Sequence, residues 1–169
     1  MAETTRIRNY REGDAPEIAC LFYETVRSVN RADYSEEQVE AWAPGVPDPD
    51  EWHERMTGRR TLVAEGGGEV VGFAELEGDG HLDMLYLHKD AVRRGVGSGL
   101  YRAVEWEARA SGLGRIFTEA SITARPFFER HGFRVVREQT VTVRGVPMTN
   151  FAMEKPLPPP GREREQGLL

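Results

Sequence analysis

Leu85-Tyr86-Leu87-His88-Lys89-Asp90-Ala91-Val92-Arg93-Arg94-Gly95-Val96-Gly97-Ser98-Gly99-Leu100 begins as an apolar strand, passes through a basic pair and ends in alternating glycines. Apolar residues then recur at helical spacing (Val96, Leu100, Ala103, Val104 and Ala108) until Ser111-Gly112 interrupts them. The stretch therefore predicts a strand, a turn and a helix opened by glycines. Gly95, Gly97 and Gly99 let the backbone curl so that successive N–H groups point into one concavity. A helix starting there adds unpaired amides and the positive end of its dipole, and Arg93 and Arg94 add charge at the rim. Such a turn suits a pyrophosphate. The bland alternative is a glycine turn with no ligand.

Two familiar phosphate motifs can be tested against this spacing. No Gly-Lys-Ser/Thr follows, which excludes a nucleoside-triphosphate P-loop. A dinucleotide fold has some support, because Glu119 ends the following strand about where a ribose-binding carboxylate sits. Its glycines fit badly, with Leu100 where Gly-x-Gly-x-x-Gly needs its third glycine. The segment 88–94 also separates strand from first glycine, and there is only one strand-helix-strand crossover where that fold needs several.

Working outward, residues 7–10 read as a strand, and Asp14 offers an acceptor to the free amides of a helix whose apolar positions are Ile18, Leu21, Phe22, Val26 and Val29. Cys20 lies in that helix and reads as packing. Ser35 and Gln38 have capping-box spacing for a second helix that carries Val39 and Trp42 and stops at Pro44. Residues 43–50, rich in proline, read as a loop, and 51–56 as a helical turn. Residues 61–65 and 70–76 read as a hairpin, and 81–87 as a third strand. After the glycine-led helix come a strand at 116–120, a short helix at 123–130 and two strands near 139–143 and 148–153. The order predicts one α/β domain over 1–155 with a mixed sheet. Residues 156–169 form a Pro-rich, charged tail, expected to be flexible.

Composition narrows the partners. The chain has 169 residues, 39% of them hydrophobic, with 22 Lys and Arg against 28 Asp and Glu. A net charge of −6 disfavours a nucleic-acid backbone and suits a cationic amine better. No run approaches the roughly 20 apolar residues of a membrane span, and the N-terminus lacks an apolar signal region. With Cys20 as the only cysteine there is no intrachain disulfide or Cys-based metal cluster. His53, His88 and His131 lack partners at metal-ligand spacing, so no metal is expected. The expected compartment is the cytoplasm.

The Gly-rich run resembles the acetyl-CoA motif of the GNAT acetyltransferase superfamily, Gln/Arg-x-x-Gly-x-Gly/Ala. A second stretch, Ala124-Arg125-Pro126-Phe127-Phe128-Glu129-Arg130-His131-Gly132-Phe133, is similar to that superfamily's Ala-x-x-Phe/Leu-Tyr-x-x-x-Gly-Phe helix and strand. Tyr34-Ser35, Gln38-Val39, Ala41-Trp42 and 119–124 resemble its bacterial YafP-like branch. The resemblance implies a mostly antiparallel, mixed central sheet with helices on both faces and a splayed parallel strand pair. It implies acetyl-CoA as cosubstrate, with the pyrophosphate held by Gly95, Val96, Gly97, Ser98 and Gly99. Arg93 or Arg94 supplies any charge, because Val92 occupies the motif's first position. The pantetheine arm pairs with backbone groups of Leu85, Tyr86 and Leu87 like an added strand. Ser121, where many members have Asn, and Phe127 complete the expected cofactor contacts, although Phe127 and Phe128 also read as core.

Acetyl transfer to an amine needs a base, a donor to the thioester oxygen and often an acid for the thiolate. The resemblance makes the amide of Leu85 or its neighbour the natural donor, and the candidate bases are Glu119, Asp83 and His81, with Glu75 weaker. Residues 81, 83, 85 and 87 share a face unless a bulge changes the register. Phe128 stands where many members place a Tyr, leaving no side-chain acid there. Tyr34, Trp42 and Trp52 lie in the region that shapes the acceptor pocket in this superfamily, although each reads first as packing over the sheet. The expected function is N-acetylation of a small-molecule or peptide amine by direct transfer, with a non-catalytic acyl-CoA-binding module as the alternative. Many members dimerise, and a homodimer is compatible.

Overall fold

The computed structural model describes residues 4–159, whose elements run β1 (Arg6–Asn9), α1 (Ala15–Ser28), α2 (Glu36–Trp42), α3 (Pro49–Thr57), β2 (Arg60–Gly66), β3 (Glu69–Leu76), β4 (Leu82–Leu87), α4 (Val96–Ala110), β5 (Arg115–Ser121), α5 (Arg125–Arg130), β6 (Arg134–Val143) and β7 (Val146–Pro156). Strands β1-β2-β3-β4 form one antiparallel sheet and β5-β7-β6 another. The two meet where β4 begins beside β5: His81 and Phe117 form an isolated parallel bridge, and the Phe117 N–H donates to the Gly80 carbonyl at 3.1 Å. The Thr118 hydroxyl adds a bond to the Leu82 carbonyl at 2.8 Å. Beyond these links the parallel pair separates, as the motif resemblance implies.

Side-chain alternation along the strands builds a core on each face. Leu62, Ala64, Ala74 and Leu76 pack with Leu100, Tyr101 and Val104 of α4 on one side. Val63 and Phe73 pack with Ile18, Phe22 and Val26 of α1 and Met56 of α3 on the other. Helices thus cover both faces, and the fold is mixed α/β. Among the described residues no helix is long and apolar enough to cross a membrane.

Several local expectations are corrected. Asp14 precedes α1 but caps no helix amide: its carboxylate takes both terminal guanidinium nitrogens of Arg8 at 2.8 Å and the Arg11 N–H at 2.8 Å. Cys20 is exposed, because the buried stripe of α1 passes through Ala19. Pro49 belongs to α3, whose Asp48 cap accepts from the Asp50 N–H at 2.8 Å. The terminal hairpin is longer than its apolar runs suggest, and β7 continues to Pro156. Leu157 is buried, its N–H on the Gly114 carbonyl at 2.9 Å. The flexibility expected of the tail at 160–169 falls outside the described residues. The Ser35–Gln38 box is present in both directions, at 3.2 and 2.9 Å.

Candidate active site

The separation of β4 from β5 leaves main-chain groups without strand partners. The His88 N–H donates to the Val71 carbonyl at 2.7 Å, which makes 71/88 a hydrogen-bonded pair of the β3–β4 ladder. Bonded and non-bonded pairs alternate in an antiparallel ladder, so 73/86 is bonded while 72/87 and 74/85 are not. The amides and carbonyls of Leu85 and Leu87 therefore face the gap. The Leu87 carbonyl meets the Thr25 hydroxyl from α1 at 2.7 Å, consistent with that orientation.

At the end of β4 the chain turns through Arg93 (φ 65) and Gly95 (φ 79) into α4. A left-handed residue at 95 suits glycine and aims successive amides into one hollow. The first intrahelical bond runs from the Gly99 N–H to the Gly95 carbonyl at 3.0 Å, and no side chain caps the helix. The amides of Val96, Gly97 and Ser98 thus lack helical partners. Gly97 also fills a packing role, since a Cβ there would lie 3.1 Å from both Leu87 Cδ1 and Phe127 Cε2.

Turn and gap open into one cavity of about 540 Å³. Its wall includes Leu85, Tyr86, Leu87, Arg93, Gly95, Gly97, Ser98, Ser121 and Phe127 from the expected cofactor residues. Arg94, Val96 and Gly99 are not on the wall. Val96 is buried in the α4-side core. Ser121 is turned locally, accepting from the Ala124 N–H at 3.0 Å. Phe128 is buried against Phe127 and Phe133.

The three candidate bases occupy unlike environments. Glu119 lies on the cavity wall with 45% of its side chain exposed. Asp83 also lines the wall, but Arg55 and Arg59 both hold its Oδ2, the latter at 2.6 Å. His81 is not on the wall: its Nε2 is 2.5 Å from Glu119 Oε2 and its Nδ1 is 2.7 Å from Glu77 Oε1. Burial disfavours the imidazolium, yet the hydrogen bonds to Glu119 and Glu77 outweigh it and raise the His81 pKa above 6.5. The expected shared face of 81, 83, 85 and 87 is broken by a bulge. Glu75 pairs with Met84 and Leu76 with Leu82, so Asp83 is the extra residue and turns to the arginines of the α3 side.

Glu75 lies beneath this bulge with no exposed surface, bound to Arg55 at 3.1 Å, while its Oε2 has no hydrogen-bond partner. Burial pushes its pKa above the ordinary carboxylate value, against the pull of Arg55 and Arg59. Sequence reading missed Arg55, Arg59 and Glu77. The signal that could have found the arginines is Glu75 itself, a carboxylate inside the apolar run 70–76 that needs a cationic partner. Tyr34 is buried and Trp42 lines the cavity, whereas Trp52 packs on Phe22 and Phe73.

Residues 30–155 match the model of the acetyltransferase (GNAT) domain. The chain belongs to the GNAT acetyltransferase family. Escherichia coli (strain K12) YafP, described as an uncharacterized N-acetyltransferase, is 35% identical over 148 residues, covering 88% of this chain and 93% of YafP. The crystal structure of a GCN5-related N-acetyltransferase from Rhodopseudomonas palustris superposes with a TM-score of 0.86 at 38% identity, over 93% of this chain and 98% of that one. The PaiA N-acetyltransferase of Thermoplasma acidophilum, solved with coenzyme A, shares the fold with a TM-score of 0.74 at 20% identity, over 91% and 99%. As a GNAT member the protein is an acetyltransferase that uses acetyl-CoA. Its unpaired helix amides and the free main-chain edge of β4 fit a pyrophosphate joined to an amide-bearing arm.

Proposed function

We propose that this GNAT enzyme acetylates a primary amine by direct transfer, with Glu119 as the base. The carrying observation is that Glu119 offers a partly exposed carboxylate on the cavity wall, while Asp83 is held by two arginines and both His81 nitrogens are engaged. Acetyl-CoA supplies an acyl thioester. The Gly95–Ser98 amides and Arg93 hold its pyrophosphate, and the Leu85 and Leu87 main chain aligns the arm along the gap. The Leu85 N–H donates to the thioester oxygen, where charge develops. Glu119 accepts the proton of the attacking amine. Phe128 has no proton to give, so the thiolate departs unprotonated or takes a proton from water. Asp33, Asp83 and Glu119 line the cavity together with Arg93 and Arg130, so the wall carries both signs; Glu119 is the carboxylate placed to meet an amine.

The test is thiol release from acetyl-CoA with spermidine, tyramine, glucosamine and an alanine-terminated peptide. Glu119→Gln should lower kcat by about 100-fold or more while coenzyme A still binds. Wild-type kcat in that variant overturns the base assignment. Thiol release with none of the amines overturns the acceptor class.

A further inference from the structure

His81 is sandwiched between two carboxylates, one on the cavity wall and one outside it. Its Nε2 meets Glu119 Oε2 at 2.5 Å and its Nδ1 meets Glu77 Oε1 at 2.7 Å. The ring lies 5.0 Å from the Phe117 ring, nearly parallel, which limits its rotation. Its own backbone is fixed by the 81/117 bridge and by Asp79, whose carboxylate accepts the His81 N–H at 3.1 Å. A histidine whose two ring nitrogens both meet carboxylate oxygens donates to both only as an imidazolium, which carries two N–H donors and no acceptor.

We propose that Glu77 and His81 form a clamp that fixes the orientation of Glu119, making them positioning residues for acetyl transfer. The proposal rests on the reading of Glu119 as base. His81 touches the cavity only through Glu119, so the clamp acts at one remove from the amine. Glu77 orders the ring from behind, as a second acceptor does for other functional histidines. Glu119 stands half exposed on a strand whose neighbour has diverged, so an N–H at its back gives the side chain one direction. The groups facing His81 are Glu77, Glu119, Asp79 and Asp83, with Arg59 3.5 Å from Glu77 and Arg115 stacked 4.6 Å from the far ring, Phe117. Carboxylates therefore dominate around the imidazole. Deprotonation of His81 as pH rises through its raised pKa removes one of the two donors and loosens the clamp.

Two measurements test this, one needing no acceptor. Nitrogen-15 NMR of histidine-labelled enzyme should show both His81 nitrogens protonated at pH 6.5, with a midpoint above 6.5 that falls in Glu77→Gln and in Glu119→Gln. A neutral ring at pH 6.5 overturns the clamp. With the fastest amine of the panel, Glu77→Gln and His81→Gln should each lower kcat by about 10-fold with little change in KM for acetyl-CoA. The alkaline limb of the kcat profile should move to lower pH in Glu77→Gln, and Glu77→Asp should recover part of the rate. Glu77→Gln keeps the test decisive if His81→Gln fails to fold. Wild-type profiles in Glu77→Gln, with Glu119→Gln inert, overturn the clamp alone; an active Glu119→Gln overturns the base reading and the clamp together.

Discussion

The Tyr34 hydroxyl donates to the Thr149 carbonyl at 2.7 Å, joining the helical N-terminal region to β7 across the molecule. The same oxygen accepts the Ile122 N–H, just past β5, at 2.9 Å. One hydroxyl therefore ties down the chain beside the cavity from two directions. Tyr34→Phe leaves a partly buried carbonyl and amide without that partner and should cost about 1–2 kcal/mol, measured by urea denaturation. Loss of these ties should also raise the acceptor KM more than the acetyl-CoA KM, checked by steady-state kinetics.

Gly97 and Gly99 should respond differently although both belong to the same motif. At Gly97 a larger side chain meets Leu87 and Phe127, and Gly97→Val should destabilise by about 1–3 kcal/mol as well as weaken coenzyme A binding. At Gly99 a Cβ would meet nothing within 4 Å, and Gly99→Ala should stabilise α4 by up to about 1 kcal/mol. Thermal denaturation beside coenzyme A titration separates the packing and binding contributions.

The Arg55–Glu75 pair predicts a pH dependence of the opposite sign to that of most carboxylates. Glu75 has a raised folded-state pKa, so between the ordinary carboxylate value of about 4.5 and that raised value the folded chain holds the extra proton. Stability from this group is full below about 4.5 and is lost as pH rises through the folded-state pKa. Glu75→Gln should therefore gain on the wild type as pH increases, in urea titrations at a series of pH values. Arg55→Met should destabilise at neutral pH by roughly 3 kcal/mol, because it strips a buried carboxylate of its nearest cation.

Asp14 behaves in the usual direction. Burial acts to raise its pKa, but the hydrogen bonds from Arg8 and the Arg11 amide prevail, and the pKa falls below 3.8. The stability it contributes is present above about 3.8 and is lost as pH drops through the lower folded-state value. The destabilisation caused by Arg8→Leu should consequently be large at pH 7 and shrink toward pH 3.

Features encoded within a few residues were legible. The Ser35–Gln38 box, the glycine-led start of α4 and its apolar stripe each depend on near neighbours in sequence. Features set by distant pairing were not. Whether Ala19 or Cys20 faces the core depends on where α1 lies on the sheet, since adjacent helical positions differ by about 100°. The bulge at Asp83 arises from how β4 registers on β3, and a local period of two cannot reveal a slip of one. That slip separates Asp83 from Leu85 and Leu87 and hands it to Arg55 and Arg59. The proximity of His81 to Glu119 likewise depends on β4 and β5 lying side by side at Phe117.

The turned-out amides of Leu85 and Leu87 also bear on how the donor arm should be dissected. An alanine scan of β4 would trim Leu85 and Leu87 where they pack toward α4 and leave those N–H groups intact. Losses in such a scan would report on packing, and near-neutral positions would be misread as dispensable. Replacing single amides of β4 by esters, through semisynthesis, deletes the donor while keeping the side chain. On the proposed reading, swaps at residues 85 and 87 weaken acetyl-CoA binding, whereas a swap at residue 86 weakens the β3–β4 ladder instead.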